Sequence, residues 1–550
     1  MTRLGGWKKT CAALLFCVLI TTLSSAQTFT TLVSFDGING YYPQFASLTQ
    51  GRDGNLYGTT VLGGNGFGTI FRMTPSGDTT LLHTFNFTDG EQPFDGLTLG
   101  VDGNFYGTTS DRGINGFYSY GTIFKMTPEG VFTTLYNFSG SDGAMPHAGL
   151  TLADDGNFYG TSGEGGGPAS CGTFFKITPS GKLTSLHTFL PNEGCGPNTI
   201  VQAADGYFYG TAAGGGDSSK GTVFRITKGG VLTRVHSFCG DPPACTDGAT
   251  PQAGVIFASD GNFYGTATAG GTHNIGTLFK LTSRGTFTVI HTFRLSDGSE
   301  PFGLVEAADG MLYGTAIYGG GACSMQYGCG TIFRVNPDGH VDILHAFGDS
   351  DGWFPWNELT QSTSGAFYGL TTSGGDSQCN SCGTAFSLNV GVGPFVAFVR
   401  ASGKVGQIGG ILGQGFTGTS SVSINGTPAN FTVVSDTFLK ATVPAGATTG
   451  YVTVTTPSGT LTSNKPFRVT PQLLSFNPPS GPVGAQVTIT GVSLTQTQGV
   501  GFGDRVPAQF TVNSDTQVIA TVPAGAKTGK IGIETKGGVA ISSGMFTVTQ

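Results

Sequence analysis

The sequence predicts an all-β protein: a seven-bladed β-propeller closed by its own N-terminal strand, followed by two small β-sandwiches. Three observations predict it. Of 550 residues, 93 are Gly and 26 Pro, while only 11% are charged. That composition suits short strands and tight turns and excludes helical bundles, coiled coils and collagen. A unit of about 50 residues returns seven times, and a second repeat of 79 residues fills the C-terminal part. With 42 Phe and 16 Tyr there is enough apolar surface for a core, so the Gly content does not signal disorder.

Residues 1–26 read as a signal peptide. Arg3, Lys8 and Lys9 give a basic start, Ala12 to Leu23 an apolar stretch, and Ser24-Ser25-Ala26 small residues for cleavage after Ala26. The apolar run is short for a membrane span, and nothing later could form one. The expected product is secreted, or held at the cell surface or in the periplasm. Residues 1–26 carry a net charge of +3, residues 27–390 carry −15 and the remainder +5, making −7 overall. An acidic body repels phosphate backbones, so nucleic acid is not an expected partner.

The propeller is assigned to residues 27–390. Asp53-Gly-Asn-Leu-Tyr-Gly-Thr returns at Asp102, Asp155, Asp205, Asp260 and Asp309, and as Ser364 in altered form. Gly68-Thr-Ile-Phe-Arg-Met-Thr-Pro recurs from Gly121, Gly172, Gly221, Gly276, Gly330 and Gly383. Each unit reads as four strands, with Asp-Gly making the first hairpin and Pro-x-Gly the turn between strands three and four. The fourth-strand motif, Thr80-Leu-Leu-His-Thr-Phe85, has its seventh copy at Thr31-Leu-Val-Ser-Phe35, the start of the mature chain. Such a displaced strand closes a ring, whereas a solenoid would not need it.

These repeats resemble the GloVer tandem-repeat (choice-of-anchor) family of exported bacterial proteins over roughly residues 28–388. The resemblance implies an exported product with a C-terminal anchor of varying kind. The last residues, Met545 to Gln550, carry no apolar tail or sorting motif, which leaves the anchoring of this chain open. Beyond the propeller, Phe431-Thr-Val-Val-Ser-Asp-Thr matches Phe510-Thr-Val-Asn-Ser-Asp-Thr, and Val443-Pro-Ala-Gly-Ala matches Val522-Pro-Ala-Gly-Ala. Residues 394–470 and 471–550 resemble IPT/TIG domains. That implies an immunoglobulin-like fold and the role of a spacer or adhesion module.

Eight Cys follow the leader. In an exported chain they are expected as disulfides: Cys171–Cys195, Cys239–Cys245, Cys323–Cys329 and Cys379–Cys382. The alternative is a zinc site of Cys323, Cys329, Cys379 and Cys382. No other metal and no cofactor is expected. His83, His187, His236, His291 and His345 share one repeat position and are read as architectural. Six hairpin acids and the bases of strand three (Arg72 and its equivalents) are both lost in the last repeat, to Ser364 and Ser387. Their joint loss predicts an acid–base clip within each blade.

No nucleophile elbow, HExxH or phosphate loop appears, so no catalytic residue is assigned. Residues that break the repeat are the candidates for ligand binding: Trp353, Trp356, Tyr41, Tyr42, Tyr118 and Tyr327, with Phe117, Tyr120 and Tyr318 beside them. Aromatics next to carboxylates suit sugar rings and cations. The expected function is non-catalytic binding or surface scaffolding, with an extracellular glycan, peptide or surface component as partner. The alternative is a lyase or hydrolase on a small extracellular substrate. Repeat-breaking residues with acid–base partners at the channel mouth would favour the enzyme.

Overall fold

The computed structural model describes residues 27–114, 120–321, 323–336, 339–375, 379, 381–503 and 505–550. The expected leader, 1–26, lies outside the described residues, as do Phe117 and Tyr118. Among the described residues every regular element is a strand and none is a helix. Among the described residues no helix is long and apolar enough to cross a membrane.

Each repeat folds into an antiparallel sheet. The first runs Thr49–Gln50, Leu56–Thr60, Thr69–Met73 and Thr79–Thr84. Five further sheets repeat this order, one with an additional short strand, Cys195–Pro197. The last contains Thr360–Gln361, Phe367–Thr371 and Thr384–Asn389, and takes its outermost strand from Thr28–Ser34. Thr28 stands opposite Asn389 and Ser34 opposite Thr384.

Local chemistry explains the repeated motif. The Gly of Tyr-Gly-Thr lies under the third-strand Phe, and a Cβ at Gly58 would sit 2.8 Å from the Phe71 ring. The motif's Tyr reaches back to the hairpin acid: Tyr57 donates to Asp53 at 2.9 Å, Tyr106 to Asp102 at 2.8 Å and Tyr313 to Asp309 at 2.7 Å. This corrects the expected acid–base clip. Among the described residues that ion pair forms in one repeat, Lys280 to Asp260 at 3.4 Å. Elsewhere the phenol, four residues along the same hairpin, takes the carboxylate, and Arg334 turns to Asp342 at 2.8 Å.

The sheets are tied in sequence by the Thr that ends Tyr-Gly-Thr. Thr59 donates to the Asp95 carbonyl at 3.0 Å, Thr161 to Asn198 at 3.0 Å, Thr211 to Ala253 at 2.6 Å, Thr266 to Phe302 at 2.6 Å and Thr315 to Asn357 at 2.8 Å. Leu370 replaces this Thr in the last sheet. There Gln50 and Thr363 join last to first, with the Thr363 amide donating to Gln50 Oε1 at 2.9 Å. The Thr360 hydroxyl also donates to the Leu48 carbonyl.

The loops between strands two and three meet the connectors between sheets at one end of the repeats. Six of the seven connectors carry an acid that caps its own turn and meets the preceding strand, and the first has Asn39 in that place. Asp297 accepts from the Arg294 amide at 2.9 Å and from His291 at 2.7 Å. His83–Asp89, His187–Glu193, His236–Asp247 and His345–Asp351 repeat the pair. In the second sheet Tyr136 takes the His position and meets Asp142. Four disulfides close loops at this end: Cys171–Cys195, Cys239–Cys245, Cys323–Cys329 and Cys379–Cys382. The last two consume the sulfurs that the zinc alternative requires.

At the opposite end, where the Asp-Gly hairpins lie, the C-terminal sandwiches dock. Each packs two mainly antiparallel sheets, with one short parallel pairing, around its own apolar core, Val422, Leu439 and Val454 in one and Ile489, Val518 and Ile533 in the other. Their fold is immunoglobulin-like. Phe438 and Leu412 of the first sandwich join Tyr57 and Phe105 in one apolar cluster. The Arg52 guanidinium lies 4.5 Å from the Phe438 ring centroid, and Thr437 donates to the Arg52 carbonyl at 2.6 Å. Lys465 lies 3.8 Å from the buried Glu306. The two sandwiches exchange hydrogen bonds between Thr449 and Gln496, at 2.8 and 3.1 Å.

Candidate functional site

The chain enters each sheet through a proline and a few residues before a buried aliphatic anchor: Leu48, Leu97, Leu150, Ile200, Val255, Leu304 and Leu359. Just before those anchors stand Ser47, Gly96, Gly149, Thr199, Gly254, Gly303 and Glu358. One position earlier come Ala46, Asp95, Ala148, Asn198, Ala253, Phe302 and Asn357. Small residues dominate both positions, so Asp95 and Glu358 stand out. The first entry also holds one more residue than the second, third, fifth and seventh. Phe45 within it adopts φ +60°, a strained conformation for an aromatic residue, with its amide donating to the Trp356 carbonyl at 2.8 Å.

These entry segments surround a cavity of about 360 Å³ at the connector end, a size suited to a small ligand. Every one of the seven sheets contributes to its wall: Phe45, Phe94 and Asp95, His147, Thr199, Gln252, Phe302, and Trp356 with Glu358. Phe45 bridges the aromatic residues, with ring centroids 5.0 Å from Trp356, 5.4 Å from Phe302 and 5.9 Å from Phe94. Gly149 and Gly303 make room for the acids, since a Cβ at either would collide with Asp95 or Glu358 respectively.

The two carboxyls differ in their surroundings. Asp95 accepts from the Gly96 amide at 2.6 Å, from the Thr199 hydroxyl at 3.0 Å and from the Gly149 amide. Burial raises its pKa, and those three donors work against the rise by favouring the ionised form. Glu358 has no hydrogen-bond partner among the described residues. Burial, and then the negative charge of Asp95, push it up to about 8, so it is mostly protonated at neutral pH. Burial lowers the pKa of His147, opposed by Glu164, and its ring meets Phe94 edge-on at 5.1 Å. Two buried polar atoms in the wall lack partners among the described residues: Trp356 Nε1 and Gln252 Oε1.

Of the aromatic residues singled out from sequence, Trp356 lines this cavity. Trp353, three residues earlier, packs against the core containing Tyr313 and Phe347, its Nε1 buried without a partner. Tyr41 packs beneath the first connector, with Tyr42 beside it at a centroid distance of 6.0 Å. Tyr318 stands against Phe354, and burial, with Glu300 nearby, raises its pKa. Tyr327 is 60% exposed and Tyr120 39%, and neither reaches the cavity. Sequence reasoning missed Phe45, Phe94, Asp95, His147, Phe302 and Glu358. Aligning the seven entries position by position carries the signal for the acids.

No curated protein matches the sequence. Among solved structures, a fungal alcohol oxidase of the AA5 family in complex with copper is similar at 13% identity, over 95% of this chain and 99% of that one, with a TM-score of 0.43. A candidate gluconolactonase is 13% identical over 67% of this chain and 94% of that one, with a TM-score of 0.36. A surface glycan-binding protein from Prevotella bryantii is 18% identical over 28% of this chain and 39% of that one, with a TM-score of 0.21. Two family models match the chain. The Gloeobacter/Verrucomicrobia repeat model covers residues 18–118, 102–327 and 282–413, and the IPT/TIG model residues 396–469 and 471–549. The chain therefore belongs to the Gloeobacter/Verrucomicrobia repeat family and carries two IPT/TIG domains behind its repeats.

Proposed function

We propose that the protein is an exported, non-catalytic binding protein whose repeats form a closed seven-bladed propeller. In this reading a small ligand, or the tip of an extracellular glycan or peptide, enters the mouth of the central channel. The single observation that carries it is the convergence of repeat-breaking residues from seven sheets on one cavity. Ring closure is supported by the Thr links from sheet to sheet, by the Gln50–Thr363 contact and by the pairing of Thr28–Ser34 with the last sheet. Export is supported by the four disulfides, which persist in oxidising compartments. The sandwiches cover the hairpin end and so present the cavity outward.

One observation favours the hydrolase or lyase alternative: a protonated Glu358 beside a carboxylate has the form of an acid–base pair. Against it, three of the roughly four lone-pair sites of Asp95 are already taken by hydrogen bonds, leaving about one for a substrate proton. A general base needs a free lone pair aimed at the substrate proton.

The test screens purified residues 27–550 against glycan and peptide arrays, alongside a Phe45→Ala/Trp356→Ala variant. Binding lost in a variant that keeps its melting temperature supports the cavity. Binding retained there places the site elsewhere, and cleavage products from a bound ligand would establish the enzyme instead.

A further inference from the structure

The cavity wall is unbalanced in a way that identifies its ligand chemistry. Its hydrogen-bonding groups are mainly acceptors. The Asp95 and Glu358 carboxyls face it, and the buried Gln252 Oε1 has no donor. Asn198 spends both Nδ2 hydrogens on Thr211 and Pro251, which leaves only its oxygen to offer. The Thr199 hydroxyl is already given to Asp95. Among the described residues no Lys or Arg lines the cavity, and burial disfavours the charged form of His147, the base that does. The remaining wall is aromatic: Phe45, Phe94, Phe302 and Trp356. Acceptors that outnumber free donors, acids with no Lys or Arg partner and clustered aromatic rings together make an environment complementary to an organic cation.

Resting on the reading of the cavity as a ligand site, we propose that it takes a positively charged ammonium group, held against Phe45, Phe302 and Trp356 and neutralised by Asp95 and Glu358. Trp356 Nε1 then donates to an acceptor elsewhere on the ligand. The cation draws the proton off Glu358, which leaves to solvent, so binding strengthens as pH rises. The titratable groups facing Glu358 are Asp95 on the second entry and His147 on the third; Phe45, Gly303 and Gln252 bring none.

The test is titration calorimetry of residues 27–550 with choline and with 3,3-dimethylbutan-1-ol, its uncharged isostere of the same shape. Choline carries a charge independent of pH, so any pH dependence belongs to the protein. The expected result is choline bound at least about tenfold more tightly than the isostere. Choline affinity should rise about tenfold between pH 7 and pH 9, following the ionised fraction of Glu358. Glu358→Gln should flatten that rise while leaving the melting transition cooperative. Equal affinity for the isostere, or an affinity that is flat or falling with pH, overturns the proposal. If choline gives no heat while an array ligand is still lost in Phe45→Ala/Trp356→Ala, the cavity binds an uncharged group and only the ammonium proposal fails. If neither choline nor any array ligand depends on the cavity, both readings fail.

Discussion

His345 lies flat against Phe29, with ring centroids 3.6 Å apart and planes 5° from parallel, while its Nε2 meets Asp351 at 2.8 Å. The same stack joins His83 to Phe132 and His236 to Phe287, each between neighbouring sheets. At His345 it fastens the N-terminal strand to the sixth sheet while that strand pairs within the seventh.

Removing this fastening should destabilise the repeats as a whole. Phe29→Ala should cost about 2–3 kcal/mol, the lower range for a large side chain that is only partly enclosed. Deleting residues 27–36 should cost considerably more, since it also unpairs Thr384–Asn389. Thermal unfolding of both variants checks this; a deletion that melts with the parent would show that the strand contributes nothing.

The hairpin acids should matter through the phenol and not through a base. Asp102→Ala removes the acceptor of the Tyr106 hydroxyl and of the Asn104 side chain and should cost about 1–2 kcal/mol. Lys125→Ala should fall within about 0.5 kcal/mol, the usual range for a surface substitution. Denaturant midpoints at constant slope compare the two.

Glu358 should make stability fall as pH rises. Its pKa is about 8 in the fold, against an ordinary value of 4.5 when unfolded. Between those values the folded state binds the extra proton, so the contribution is fully present below pH 4.5 and lost on passing through pH 8. Glu358→Gln should raise the melting temperature at pH 8 by a few degrees and leave it unchanged near pH 4. A variant that is equally stabilised at both pH values would point to packing instead of ionisation.

The first sandwich should loosen when its contact with the hairpin end is cut. Arg52→Ala combined with Thr437→Ala removes the cation–ring contact and a hydrogen bond between the modules. Limited proteolysis should then cleave residues 390–396 several-fold faster, while the melting of the sandwich core stays the same.

Much of the fold was legible because its signals are local and repeated. Asp-Gly-Asn encodes a hairpin wherever it stands, and the displaced copy at Thr31–Phe35 identified the strand that joins the last sheet. The clip was misread because joint loss at Ser364 and Ser387 reports proximity but not pairing, and Tyr106 and its equivalents reach the acid first. The cavity was harder to see because it is built from single positions contributed by seven repeats. Asp95 and Glu358 occupy positions otherwise held mostly by Gly, Ala, Ser or Asn, a contrast visible once the entries are aligned on their aliphatic anchors. Phe45 was hidden because the extra residue in its entry shifts it out of register. Trp353 and Trp356 could not be told apart by composition, since only the turn at Pro355 sends one to the core and the other to the cavity.

The pairing of Thr28 with Asn389 also orders events in time. The strand synthesised first among these repeats finds its partner only after some 360 further residues have been made. Until then the last sheet has an open edge, and the first connector lacks the Cys382 carbonyl that accepts from the Tyr42 amide. Contacts so distant in sequence form slowly and leave unpaired strands exposed to other chains. A chain threaded through a membrane from its N-terminus would thus emerge with its opening strand unpaired, and the last sheet could be completed only on the far side.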